Sequence, residues 1–358
     1  MNRRLTTVII LLIVCCVGMT GCKDGFQPVT ATVIKEDQYG DVMLDLEKIG
    51  LEYGDSVNIS FSGGYEMKKI PYYPDFFGNK GSAILTDHFD TICIAGIGCS
   101  FNSTAGIQNG EEVTISLEKK ERYKDEFEAY NINNAAIQAE GQSDEAFRNA
   151  REITAGQIRE NRLYRGSSPF DQKYGRVELM DRYLKEKDIK CVLDLADTRE
   201  KLEAYENLPD HTASMISDNR VIVCAIGVDY LDSKTMQTLG QGLAEMSEQE
   251  GPYLIQCSLG RDRTGVISAV IEALCGATYQ EIIDDYMISY DTLHNIDMNP
   301  DSLQYKLFKQ RIDEQLEAIL GIEIEKLPVS DLKTPAYNYL LRCGMNEQQI
   351  EKLVNNLS

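Results

Sequence analysis

Apolar and polar positions alternate with a period of two through residues 29–118, in "TATVIKE", "DVMLDL", "DSVNISF", "FDTICIAGI" and "EEVTISLE", with Gly- and Asp-bearing turns between them. A strand with one buried face has that period, so the stretch predicts an all-β domain over residues 23–120. Residues 121–142 turn charged and Ala/Glu-rich, which predicts a helix and turn linking two domains. From residue 143 to 358 the patterning changes. "VELMDRYLKEKDI" and "SKTMQTLGQGLAEMSEQEG" have helical spacing, whereas "KCVLDLAD", "NRVIVCAIGVD" and "PYLIQC" are apolar bursts of strand length. "DRTGVISAVIEALCG" returns to apolar residues three and four apart. Strand alternating with helix predicts an α/β domain, a central, mostly parallel sheet flanked by helices and preceded by the small all-β domain.

The first residues belong to neither domain. Arg3 and Arg4 precede an unbroken apolar run from Val8 to Val17, and "GMTGC" follows, ending at Cys22. This is the layout of an export signal over residues 1–22, with a run too short for a spanning helix, which needs roughly 20 residues. Small residues before a cysteine resemble the lipobox of bacterial lipoproteins. That resemblance implies a lipid on Cys22 and a location on the extracytoplasmic side of the cell membrane.

A net charge of −21 argues against a nucleic-acid partner, which demands a positive surface. It leaves room for phosphate chemistry, because main-chain N–H groups and one or two arginines make a local positive pocket on an acidic protein. Of ten cysteines, three lie in the signal region and seven beyond it, so at least one mature thiol is unpaired. Cys93 and Cys99 could pair, but both lie in or beside an apolar stretch, where buried thiols are the expected reading. His88, His211 and His294 lack ligand spacing, so neither a metal nor a cofactor is expected.

"QCSLGRDRTG", residues 256–265, carries the candidate chemistry. "PYLIQC" delivers Cys257 at a strand end, and "TGVISAVIEALCG" continues as a helix after Arg263. Strand, tight loop and helix aim N–H groups at an anion. A helix N-terminus and a nearby guanidinium favour the thiolate, the nucleophilic form of cysteine. Arg263 is suited to grip two phosphoryl oxygens through its planar fork, and Gly260 to supply a positive φ. Ser258, Leu259, Gly260, Arg261, Asp262 and Thr264 complete the expected substrate-binding loop, in which Thr264 is placed to donate its hydroxyl to the Cys257 sulfur and Asp262 to hold Arg261.

Cys-x5-Arg-Thr resembles the phosphate loop of the protein tyrosine phosphatase superfamily, and "CSLGRDRTG" is similar to the form found in bacterial tyrosine phosphatases that include lipid- and phosphoinositide-hydrolysing members. "NRLYRGSSP", "IKCVLDLADTRE", "IIDDYMISY" and "YNYLLRCGMNEQQIEKLVNNL" resemble further motifs of that group, from about Ser143 to the C-terminus. The departures are Gln256, where the family usually has His, and Ala196, where it usually has Arg. Separately, "GDVMLDL", "YGDSVNI" and "CIAGIGCSFNSTAGIQNGEEVTI" resemble the C-terminal β-domain of the S-adenosylmethionine hydroxide adenosyltransferases, whose catalytic domain has no counterpart here.

The phosphatase resemblance implies a phosphocysteine intermediate and an aspartate that protonates the leaving oxygen. Asp229, 28 residues before Cys257, is the first choice, with Asp232, Asp194 and Asp197 as alternatives. "DSKT" also reads as a helix cap at Asp232. The expected substrates are phosphotyrosine in proteins, with inositol phosphates or phosphoinositides as the alternative suited to the extra cation of Arg261. The reading from another class is a module that binds phosphorylated ligands with little turnover, for which Gln256 is the main support.

Overall fold

The period of two in "EEVTISLE" becomes a strand in which Val113 and Ile115 are fully buried. The computed structural model describes residues 26–37, 40–78, 81–88, 91–97, 99–132, 138 and 141–358, so the lipobox-like stretch and Cys22 lie outside the described residues. The chain divides into two units, one of residues up to Phe76 with Ala83–Lys124, the other of Phe77–Ser82 with Asp125–Ser358.

The first unit is a closed barrel of β1 (Val29–Glu36), β2 (Val42–Leu44), β3 (Ser56–Phe61), β4 (Glu66–Tyr73), β5 (Ala83–Thr86), β6 (Cys93–Gly96) and β7 (Glu112–Lys119). Its order is β1-β2-β6-β5-β4-β3-β7, closed by β1 against β7, and closure leaves no edge strand to pair with another chain. Val33, Val42, Leu44, Val57, Ile59, Leu85, Ile94, Val113 and Ile115 fill the interior. Strands β4 and β5 escape the period-two reading. Lys68, Lys69 and Pro71 interrupt the alternation in β4, where Lys69 takes φ 60° opposite a register shift between Val57 and Ile59. β5 has only four residues, three of them buried in succession. Cys93 is buried, but Cys99 is exposed, contrary to expectation, because it lies in the turn after β6, and both are free thiols.

The second unit holds β8 (Arg151–Ile153), β9 (Leu163–Ser167), β10 (Cys191–Asp194), β11 (Val221–Val223) and β12 (Tyr253–Cys257) in the order β11-β10-β12-β9-β8. The pairings β11/β10, β10/β12 and β12/β9 are parallel, and β8 runs antiparallel on β9. Helices Ser233–Glu248 and Asp262–Leu274 cover one face, where Leu193, Ile255, Leu243 and Val270 share a core. Helix Val177–Glu186 covers the other with Val192, Leu254, Tyr164 and Met180. Burial on both faces explains why "PYLIQC" is an apolar run broken only by Gln256 rather than an alternation. Because β9, β10, β11 and β12 are mutually parallel, the segments that follow them emerge at one end of the sheet. Among the described residues no helix is long and apolar enough to cross a membrane.

Candidate active site

Cys257 is the last residue of β12, the strand between β10 and β9, and is 4% exposed. Gly260 turns the loop with φ +68°, and a Cβ there would lie 2.3 Å from the Gly166 carbonyl carbon, so that position requires glycine twice over. The helix Asp262–Leu274 begins at once, with Thr264 through Leu274 all buried.

Four successive loop carbonyls are held from outside the loop. Ser168 N donates to Ser258 O (3.3 Å), Asn149 Nδ2 to Leu259 O (2.8 Å), and Arg165 Nη2 to Gly260 O (3.0 Å) and Arg261 O (3.3 Å). In a trans peptide the N–H points opposite to the C=O, so drawing carbonyls outward turns N–H groups inward, toward an anion. Gly260 N itself bonds to Cys257 O at 3.2 Å and tightens the turn.

Arg165 is wholly buried and ion-paired with Asp285, which also takes Arg151 Nε at 2.8 Å. Ser289 Oγ accepts from both arginines, at 3.2 and 3.3 Å. Burial alone raises the Asp285 carboxyl, but Arg165 and then Arg151 outweigh it and hold the group down at about 2. Glu272 lies fully buried nearby, and burial followed by the Asp285 charge pushes it well up, into the neutral form. Thus "NRLYRGSSP" and "IIDDYMISY" meet behind the phosphate loop, through Arg165 on one side and Asp285 and Ser289 on the other. Both motifs are visible in the sequence, but these roles depend on partners more than 90 residues apart and are not.

Arg263 Nη1 donates to Leu195 O (3.1 Å) beyond β10 and Ile226 O (3.4 Å) beyond β11, which fixes the guanidinium among three of the strand-end segments. Arg261 does not extend as a second phosphate ligand. It is turned onto Asp262 (Nε to Oδ1 and Oδ2, both 3.1 Å), onto His294 (2.7 Å) and over the Tyr290 ring (5.3 Å). Asp262 thereby holds Arg261, and it accepts Tyr290 OH at 3.3 Å. Thr264 Oγ1, in the first turn of the Asp262–Leu274 helix, is buried and among the described residues forms no bond to Cys257, contrary to the expected donation.

The four aspartates occupy different places. Asp194 is fully buried, and its Oδ1 takes the N–H groups of Ala196 (2.8 Å) and Asp197 (3.1 Å), shaping the turn whose Leu195 carbonyl anchors Arg263. Burial, then the charge of Asp197, pushes it up to about 7. Asp197 is taken by Lys201 (2.6 Å) and Tyr205 OH (3.1 Å). Asp232 caps the Ser233–Glu248 helix through Thr235 N at 2.9 Å. Asp229 is exposed on the segment after β11, between exposed Val228 and buried Tyr230, and Tyr230 lies within electrostatic range of Cys257, Asp262 and Arg263. Gln256 is fully buried one residue before Cys257, so its side chain points to the opposite face of the sheet, and neither end of its amide has a partner among the described residues. Among the described residues no group of three or more His, Cys, Asp or Glu is placed to hold a metal.

A strand-end cysteine, a loop with its carbonyls drawn back and an arginine fixed six residues on define a cysteine-dependent phosphatase. The chain belongs to the tyrosine phosphatase family, whose pattern it matches over residues 145–358. No curated protein matches it. Among solved structures it is similar to an uncharacterized conserved protein from Thermotoga maritima, with 20% identity and a TM-score of 0.23, over 25% of this chain and 38% of that one. The core catalytic domain of the PP-IP phosphatase SIW14 from S. cerevisiae, solved with citrate, is similar with 17% identity and a TM-score of 0.27, over 49% of this chain and 92% of that one. The chain thus spans well under half the length of the first and most of the second.

Proposed function

We propose that the protein is an exported phosphatase that removes phosphate from tyrosine in proteins. Cys257 sulfur attacks phosphorus as the P–O bond to the substrate breaks, and Asp229 gives its proton to the departing oxygen. Water then attacks the phosphocysteine, Asp229 takes its proton, and the thiolate and inorganic phosphate are released. Arg263 and the loop N–H groups stabilise the transferring phosphoryl. The observation that carries this reading is the fixed Arg263, tied to Leu195 O and Ile226 O at the mouth of the carbonyl-tethered loop. An aryl ester is favoured over a compact polyphosphate because Arg261 is turned onto Asp262 and His294, while Val228 (70% exposed) and Leu231 (43%) flank Asp229 with apolar surface. Gln256, whose side chain lies on the face away from the sulfur, leaves the attack on phosphorus unobstructed.

A panel of p-nitrophenyl phosphate, phosphotyrosine peptide, phosphoserine peptide and inositol hexakisphosphate tests the reading. Hydrolysis of the first two, abolished in Cys257→Ser, is expected; turnover confined to the inositol phosphate refutes it. The signal-like residues 1–22 support export and lipid anchoring at Cys22, checked by the mass of the mature N-terminus. The β-barrel unit is read as an accessory binding module, in line with its patterning.

A further inference from the structure

A guanidinium outside the phosphate loop stands close to it with no ion-pair partner among the described residues. Arg311, on the helix Leu303–Leu320, lies over the rings of Phe308 (5.2 Å) and Tyr130 (5.4 Å). Phe308 stacks on Tyr290 with ring centres 4.4 Å apart, and Tyr290 OH bonds to Asp262 of the loop at 3.3 Å. Two stacked rings, Phe308 and Tyr290, thus link Arg311 to the loop. Among the described residues it makes no ion pair or hydrogen bond, and its helix's acidic side chains are engaged elsewhere: Asp313 by Lys309 (2.6 Å) and Tyr279 OH (2.6 Å), Glu314 by Gln310 (2.9 Å). Asp262, the carboxylate within its electrostatic range, is already ion-paired with Arg261.

We propose that Arg311 forms a second anion subsite, which takes an acidic side chain beside the phosphotyrosine of a peptide substrate. A guanidinium resting on aromatic faces is weakly hydrated and held in place, so it loses little on meeting a carboxylate. Its distance from the loop matters to the choice of ligand. Neighbouring phosphates on a small ring lie close together and would call on Arg261, which is turned inward; Arg311, on the Phe308–Tyr290 stack beside the loop, suits a charge carried by a residue next to the phosphotyrosine. The inference rests on the phosphatase reading for the reacting phosphate and adds what is recognised around it.

The test uses full-length protein and Arg311→Met, which keeps the stem packed on the rings and removes the charge. Substrates are a phosphotyrosine peptide flanked by Glu, the same peptide with Gln, and p-nitrophenyl phosphate. Native protein should prefer the Glu peptide by about tenfold in KM, a ratio that shrinks with added salt. Arg311→Met should lose that ratio with kcat kept and p-nitrophenyl phosphate turnover within about twofold. Equal turnover of the two peptides by native protein, or a uniform fall on all three substrates in the variant, overturns the proposal. So does a loss in Arg311→Met confined to short-chain phosphoinositides or free inositol bisphosphate, which would assign the subsite to a second phosphate. The same peptides titrated into Cys257→Ser, with and without Arg311→Met, give the Glu-to-Gln ratio as a Kd. Absence of turnover thus refutes the phosphatase while the subsite is still decided.

Discussion

Arg165 and Asp285 form a buried ion pair directly behind the phosphate loop, and the same Arg165 guanidinium donates to the carbonyls of Gly260 and Arg261. The pair stands where solvent does not reach, with Arg165 at 0% exposure, so its members depend on each other for charge balance. Three consequences are joined in one side chain: the loop's backbone direction, the anchoring of the Tyr279–His294 helix, and the ionised state of Asp285.

Replacing Arg165 by Met is expected to destabilise the protein by about 3–5 kcal/mol, since it strands Asp285 with Arg151 alone. Where folded protein persists, kcat should fall by at least about a hundredfold, as the loop amides lose their direction. Arg165→Lys keeps the charge but cannot reach Asp285 and two carbonyls together, and should fall between. Urea denaturation and steady-state kinetics on p-nitrophenyl phosphate measure both quantities. Native-like kcat in a well-folded Arg165→Met protein would count against the carbonyl clamp.

Gly260→Ala forces a Cβ into the Gly166–Ser167 backbone and a left-handed φ onto alanine. The conformation alone costs about 1–2 kcal/mol, and the clash adds displacement of the loop. Activity should drop to a few per cent or less, with a smaller change in denaturation midpoint than for Arg165→Met. Gly276→Ala, where a Cβ meets nothing within 4 Å but φ is also +80°, isolates the backbone term as a control.

Asp194 gives a pH dependence with a definite sign. Its folded-state carboxyl sits near about 7 against an ordinary 3.8, so the native protein binds the extra proton between those values. Stability from this group is present at low pH and is lost as pH rises from about 4 to 7, on the order of 4 kcal/mol if no other group compensates. Asp194→Asn should flatten that part of the stability profile and gain on the native protein at pH 8. Parallel profiles from pH 4 to 8 for the two proteins would show that burial is not what holds the proton there.

Asp229 and Asp232 are separable by substrate and by stability. Asp229→Asn should cut kcat on phosphotyrosine peptide by about a hundredfold or more and on p-nitrophenyl phosphate far less, because p-nitrophenolate leaves without a proton. Asp232→Ala should cost about 1 kcal/mol through loss of the cap on Thr235 N and leave kcat within twofold. A reversal of those two effects would move the acid three residues along the chain.

The amino-acid order made the strand, glycine turn and helix of residues 257–264 readable, because these are local events, but not where Arg261 and the Thr264 hydroxyl end up. It also separated an alternating N-terminal domain from a strand-and-helix C-terminal one, since periods of two and of 3.6 are properties of neighbouring residues. Strands β4 and β9 escaped that reading, β4 through its broken alternation and β9 through polar residues, Arg165 and Ser167, that are buried for the sake of partners more than 18 residues away. What folding alone decided was direction. Whether Arg261 reaches out or turns onto Asp262 and His294, which carbonyls Arg165 draws back, and which aspartates are spent on turns and caps all depend on partners distant along the chain. Such pairings follow from how β9, β10 and β12 lie in parallel and where the helices after them close over, and the burial that makes them strong exists only once the sheet and its helices are assembled.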